Sequence, residues 1–144
     1  MGIFGDSRKG VEALVQSLGY DLDGNFILAY HRMNNVAKVA VNILFRVPSM
    51  GTSAVEKQYL VIFSPERLVL HQMSKNGETR VLQAQDIEDF HYRDGANHSL
   101  VFEFRYHDEA FSFYTYQDFS FKLKYIGDNV AQLVASDFLG YAKA

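Results

Sequence analysis

A chain of 144 residues with 48% apolar and 22% charged residues has the size and balance of one globular domain, long enough to bury about two thirds of its unfolded surface, which excludes a disordered chain. No apolar run approaches the roughly 18 residues of a membrane-spanning helix, and the absence of cysteine removes disulfides, thiolate nucleophiles and cysteine-based metal centres. A formal charge of −3 gives no global attraction to nucleic acid, and nothing calls for an oxidising compartment, so a cytoplasmic address is expected.

The amino terminus has neither the basic segment nor the apolar core of a signal peptide. Met1-Gly2-Ile3-Phe4-Gly5-Asp6 carries Asp6 where N-myristoylation wants Ser or Thr. A whole, unlipidated mature chain is therefore expected. The first element is an amphipathic helix within 1–19: Asp6 or Ser7 caps it, Val11, Leu14, Val15 and Leu18 share one face, and Gly19 stops it.

From 26 to 116 the sequence changes to short runs of Val, Ile, Phe and Tyr separated by turn signals such as Lys75-Asn76-Gly77-Glu78 and Asp94-Gly95-Ala96-Asn97. The runs 26–33, 59–64, 67–73, 79–84, 87–93, 99–106 and 110–116 read as antiparallel strands with hairpin-length connections. A loop or insertion is expected around 35–57. Within it, 36–47 fits two periods, a helix with Lys38, Asn42 and Arg46 on one stripe or a strand with Val39, Val41, Ile43, Phe45 and Val47 on one face; its β-branched content leans to strand. The stretch 48–57, with Pro48, Gly51 and three hydroxyl residues, reads as loop.

In 99–106, Leu100, Phe102, Phe104 and Tyr106 alternate with Val101, Glu103 and Arg105, so one face of the sheet goes to a core. A capping helix over 128–141 closes the chain, with Asp128 as cap, Val130, Leu133, Val134, Phe138 and Tyr141 on its face and Gly140 near its end. The expected core includes Leu60, Ile62, Leu68, Leu70, Ile87, Phe102, Phe104, Leu133 and Val134. The fold class is mainly β with flanking helices, an antiparallel meander bent into a barrel.

The run Tyr59-Leu60-Val61-Ile62-Phe63-Ser64-Pro65-Glu66-Arg67-Leu68-Val69-Leu70 resembles the hairpin of bacterial PH-like domains and their GRAM-type relatives, in which an apolar strand ends in Phe/Leu-Thr-x-x-Arg-Leu-Ile. Ser64 stands in for the Thr. The Met-Gly-x-Phe start, Gly24 before Phe26-Ile27-Leu28-Ala29-Tyr30, and Asp86-Ile87-Glu88-Asp89-Phe90 follow the same order. The chain departs from the family in a longer passage over 35–57 and a well-developed first helix. The resemblance implies one PH-like domain over 1–144, a partly open barrel capped at one end by the last helix. That scaffold hosts lipid, peptide and protein binding alike.

The residues offer little chemistry. The five histidines, at 31, 71, 91, 98 and 107, lack the spacing that would set two imidazoles on one metal from one element. No serine stands in a Gly-x-Ser-x-Gly elbow, and Gly2, Gly5 and Gly10 form no phosphate loop. No metal, no organic cofactor and no catalytic residue are expected.

Residues 78–118 hold nine acids against three arginines, while 30–57 hold Arg32, Lys38, Arg46 and Lys57 against Glu56 alone. In a PH-like scaffold those four cations are the candidate contacts for an anionic ligand or membrane surface, although scattered solubilising charges explain them as well. Tyr114 and Tyr116, on the outward face of 110–116, are the candidate self-association surface. The leading expectation is a non-catalytic module that binds a protein partner or itself as a homo-oligomer, with no nucleic acid. The competing readings are an anionic-lipid or small-ligand domain and a small α+β enzyme using Asp86 or Glu103.

Overall fold

The structure is a computed structural model that describes residues 8–31, 57–73, 77–119 and 121–142. Asp6 and Ser7, the alternatives for 36–47, the 48–57 loop apart from Lys57, and Lys75 and Asn76 of the Lys75-Asn76-Gly77-Glu78 signal lie outside the described residues.

Helix α1 (Arg8–Ser17) follows its apolar spacing, with Val11 and Val15 fully buried and Leu14 and Leu18 half-buried. Gly19 ends it at φ +90°; its N–H donates to the Gln16 carbonyl at 2.9 Å and the Tyr20 N–H to the Val15 carbonyl at 3.2 Å. A left-handed residue thus satisfies the last helical carbonyls, as Gly does at no steric cost.

Seven strands follow: β1 (Phe26–His31), β2 (Gln58–Phe63), β3 (Arg67–Gln72), β4 (Thr79–Gln83), β5 (Ile87–Asp94), β6 (Ser99–Tyr106) and β7 (Glu109–Tyr116). Each coincides with an expected run, shifted by a residue or two at its ends. All pairings are antiparallel in the order β4-β3-β2-β1-β7-β6-β5, and the sheet is not closed. With helix α2 (Lys124–Ala135), this is a mainly β, PH-like open barrel with flanking helices.

The two halves of the sheet meet narrowly. Among the described residues β1 pairs with β7 at Tyr30↔Tyr114 and His31↔Phe113, and toward the start of β1 the two strands part. Side chains take up the β1 carbonyls left behind: Thr115 Oγ1 donates to the Leu28 carbonyl at 2.7 Å, and Asn129 Nδ2 of α2 donates to the Phe26 carbonyl at 2.9 Å. A buried carbonyl left alone would cost about 1–3 kcal/mol, so the helix is keyed to the split.

Cross-strand register assigns the faces. Ile27, Val61, Phe63, Leu68, Leu70, Leu82, Phe90, Phe102, Phe104, Phe111 and Phe113 point inward and are buried. The rings stack nearly parallel, Phe104 on Phe111 at 5.0 Å, Phe102 on Phe113 at 5.4 Å and Phe90 on Phe104 at 5.7 Å. A bulge between Glu88 and His91, with Asp89 at φ +55°, turns Phe90 inward and His91 outward. On β1, β2 and β3 the opposite face is buried as well, at Phe26, Leu28, Leu60, Ile62 and Val69, which is why those strands read as continuous apolar runs. Of the expected core, Ile87 and Val134 are only half-buried and the rest are buried.

The closing helix differs from the expected 128–141. It starts at Lys124, after a 3-10 turn over Phe121–Leu123, and ends at Ala135. Asp128 is no cap; it lies one turn inside and meets Lys124 at 3.4 Å. Gly127, which looks like a helix breaker, is there because a Cβ would stand 2.6 Å from the Gln117 carbonyl oxygen. At the other end, residues 137–140 all take positive φ, between +52° and +88°, which makes one left-handed turn. The Phe138 N–H donates to the Leu133 carbonyl at 2.6 Å and the Ala142 N–H to the Asp137 carbonyl at 3.0 Å. Phe138 is therefore not on a helical face. It enters the barrel end, fully buried, against Tyr92, Phe63, Phe90 and Phe102 at 5.1–5.7 Å, and Tyr141 Oη donates to the Ser64 carbonyl at 2.7 Å.

Candidate functional site

The end of the barrel opposite α2 is formed by the close of β1, the start of β2 and the β3–β4 and β6–β7 connections. Lys57 stands there, exposed, its carbonyl accepting the His31 N–H at 2.8 Å. Arg32, Lys38 and Arg46 lie outside the described residues.

The inward-facing cation of this mouth is Arg80, and it is engaged. Its guanidinium donates to both oxygens of Glu109 at 3.1 Å and lies 5.2 Å above the Phe111 ring. The hydrogen bond to Glu109 raises its already high pKa. Glu78 and Asp108 add further acid at this end, both exposed, so the described part of the mouth has no surplus of positive charge for an anion. Behind Arg80, Tyr59 packs edge-on against Phe113 at 5.5 Å; burial pushes its hydroxyl up, and the Arg80 charge partly offsets this.

On the outer face, Tyr114 and Tyr116 point away from the barrel as expected, but they are half-buried rather than free. Tyr30 stacks on Tyr114 at 5.2 Å, Tyr114 meets Tyr116 at 6.0 Å, and Tyr116 meets Phe119 edge-on at 5.4 Å. These rings form a row on a sheet face. β7 lies between β1 and β6, so the row is not a strand edge.

Beside it, Glu103 accepts from Ser112 Oγ at 2.9 Å, meets His91 Nε2 at 3.0 Å and has Arg93 at 3.8 Å. Burial pushes the Glu103 carboxyl up, but the hydrogen bonds from Ser112 and His91 and the charge of Arg93 outweigh it and hold the carboxyl below its ordinary value. The residue types are those of a hydrolase triad in the wrong order. A triad needs the imidazole between nucleophile and carboxylate; here the carboxylate is central, and His91 Nδ1 faces the Asp89 carbonyl at 2.8 Å. His91 does not reach Ser112, whose hydroxyl meets only the hydrogen-bonded Glu103 carboxylate among the described residues. Glu103 is thus a cross-strand link on the outer face, outside the aromatic interior, and Asp86 sits in the 3-10 turn Ala84–Asp86.

His71 and His91 are not brought together. His71 of β3 meets Thr79 Oγ1 of β4 through Nδ1 at 2.6 Å, and burial lowers the histidine's pKa. Among the described residues no group of three or more His, Asp or Glu side chains could hold a metal ion.

An open cleft of about 610 Å³ lies between the β5–β6 turn and residues 117–118, lined by Asp94, Asn97, His98 and Asp118 among others. Sequence reading marked this place only as a turn. A Cβ at Gly95 would meet Ser99 Oγ and stand 3.0 Å from Val101 Cγ2, so a larger residue there would have to displace the Ser99 hydroxyl.

The remaining chemistry belongs to the two sheet edges. The Gln72 N–H donates to the Glu78 carbonyl and the Ala84 N–H to the Glu66 carbonyl, which fixes the parity of the β3–β4 ladder: Arg80 and Leu82 bond β3, while the backbone groups of Thr79, Val81 and Gln83 face outward. On β5, the Gly95 N–H donates to the Ser99 carbonyl, and the same parity leaves Tyr92 and Asp94 facing out. Comparison with protein-family models, with curated proteins and with solved structures finds no match to this chain.

Proposed function

We propose that this chain is a non-catalytic interaction module of the bacterial PH-like kind, which binds another protein or a second copy of itself through its outer surface. The observation that supports this reading is the filled barrel. Phe63, Phe90, Phe102, Phe104, Phe111 and Phe113 occupy the interior, and Phe138 plugs one end. Small-molecule sites are concave and need room for a ligand, whereas this interior is committed to packing. Ser112, Glu103 and His91 bind one another in an order that activates no nucleophile. Outside the filled interior, the sheet edges, the half-buried aromatic row and the open cleft beside the β5–β6 turn are the surfaces left for recognition.

The test combines light scattering of the full chain over a range of concentrations with flotation on phosphatidylserine vesicles. The reading predicts a mass that rises with concentration and no co-flotation. A monomer that floats with the vesicles and loses binding steeply with salt would instead favour the anionic-surface reading.

A further inference from the structure

The two edges of the open barrel are not equivalent. β5 is guarded by its bulge at Asp89 and by exposed Glu88, Asp89, Arg93 and Asp94. Bulges and charge are the usual means of preventing edge-to-edge association. β4 has neither. Its edge-facing residues are Thr79, Val81 and Gln83, all uncharged and exposed, and Val81, at 46%, is the most exposed large apolar side chain among the described residues. The Gln83 N–H is taken by Tyr106 Oη at 3.3 Å, so among the described residues the open part of the ladder is the backbone groups of Thr79 and Val81 and the Gln83 carbonyl.

We infer that β4 pairs antiparallel with β4 of a second copy about a two-fold axis through Val81, joining the two barrels into one continuous sheet. This rests on the interaction reading above and names the partner and the surface. The argument for a second copy is self-complementarity. Because the N–H and C=O of Val81 both face the edge, Val81 exchanges both bonds with its symmetry mate. The Gln83 carbonyl faces the Thr79 N–H of the second copy. The same axis sets Thr79 opposite Gln83, Arg80 opposite Leu82, Glu78 opposite Ala84 and Gly77 opposite Gln85, so no like charges stand directly opposite one another. Arg80 is also held by Glu109 of its own barrel. The contact is one short strand wide, which places it with weak and concentration-dependent interfaces.

The test is sedimentation equilibrium of the full chain as native protein and as Val81→Pro, Val81→Lys and Tyr116→Lys. Proline at 81 removes a donor that β3 does not use, so the barrel keeps its ladder; lysine there is a natural edge guard and covers the case in which the proline variant misfolds. The native chain is expected to dimerise, both Val81 variants to weaken the dimer about tenfold or more, and Tyr116→Lys to leave it unchanged. A dimer dispersed by Tyr116→Lys and untouched at Val81 overturns the edge pairing while leaving the interaction reading in place. A monomer at every concentration overturns the pairing outright, and the vesicle experiment then judges the broader reading.

Discussion

Phe138→Ala tests how the barrel end is closed. Phe138 is fully buried among Phe63, Phe90, Phe102 and Tyr92, and removing a buried Phe costs about 3–5 kcal/mol. The residues that place it, Asp137, Phe138 and Leu139, are all left-handed without being glycine, at about 1–2 kcal/mol each. Their combined strain, on the order of 3–6 kcal/mol, is close to what burial of the ring returns. Without the ring the turn has little to hold it, so the expected response is release of residues 137–142 ahead of global unfolding. Amide hydrogen exchange at Phe138, Gly140 and Ala142 should accelerate to near unprotected rates while β2 and β6 keep their protection, and the melting temperature should fall by about 10 °C. Phe102→Ala, equally buried but in a strand, should lower the melting temperature without that local release. If the three amides stay protected in Phe138→Ala, the left-handed turn is stable in its own right and the reasoning fails.

Gly127→Ala would favour an exposed helix by about 1 kcal/mol, but here the new Cβ meets the Gln117 carbonyl oxygen at 2.6 Å, so chemical denaturation should show a loss of about 1–3 kcal/mol. Thr115→Val keeps the side-chain shape and strips the donor from the buried Leu28 carbonyl, for an expected loss of about 1–3 kcal/mol by the same assay. Burial pushes the hydroxyls of Tyr125 and Tyr141 to about 12. Their folded values lie above the unfolded value near 10, so the folded state holds more protons above pH 10 and stability should fall as pH rises from about 10 to 12. Ultraviolet titration should show these two tyrosines ionising last, and early ionisation of all nine would contradict their burial.

The strands were legible because runs such as Ser99–Tyr106 alternate at period two and carry the β-branched and aromatic residues that a pleated surface favours. The ends of α2 were not. Gly127 and Gly140 look like punctuation, yet Gly127 marks a close approach of the 117–119 backbone and Gly140 completes a left-handed turn begun by three ordinary side chains. Nothing in Asp137-Phe138-Leu139 announces positive φ, since the conformation is imposed by the pocket that Phe138 fills.

The candidate surfaces were legible only in part. The outward alternation of Tyr114 and Tyr116 was readable from period two, but their partial burial depends on Tyr30 and Phe119, which come from other parts of the chain. Which strands form the edges is a property of topology and not of any local run. Thr79-Arg80-Val81-Leu82-Gln83 looks like any other strand until the sheet order leaves it outermost.

The most direct measurement is the dependence of individual amide shifts on protein concentration, followed by NMR on the native chain. Edge pairing predicts concentration-dependent shifts and slower exchange at the Thr79 and Val81 amides, with Tyr92 and Asp94 on the guarded edge unchanged. Shifts that are flat at Thr79 and Val81, or that move at the β5 edge instead, would contradict it.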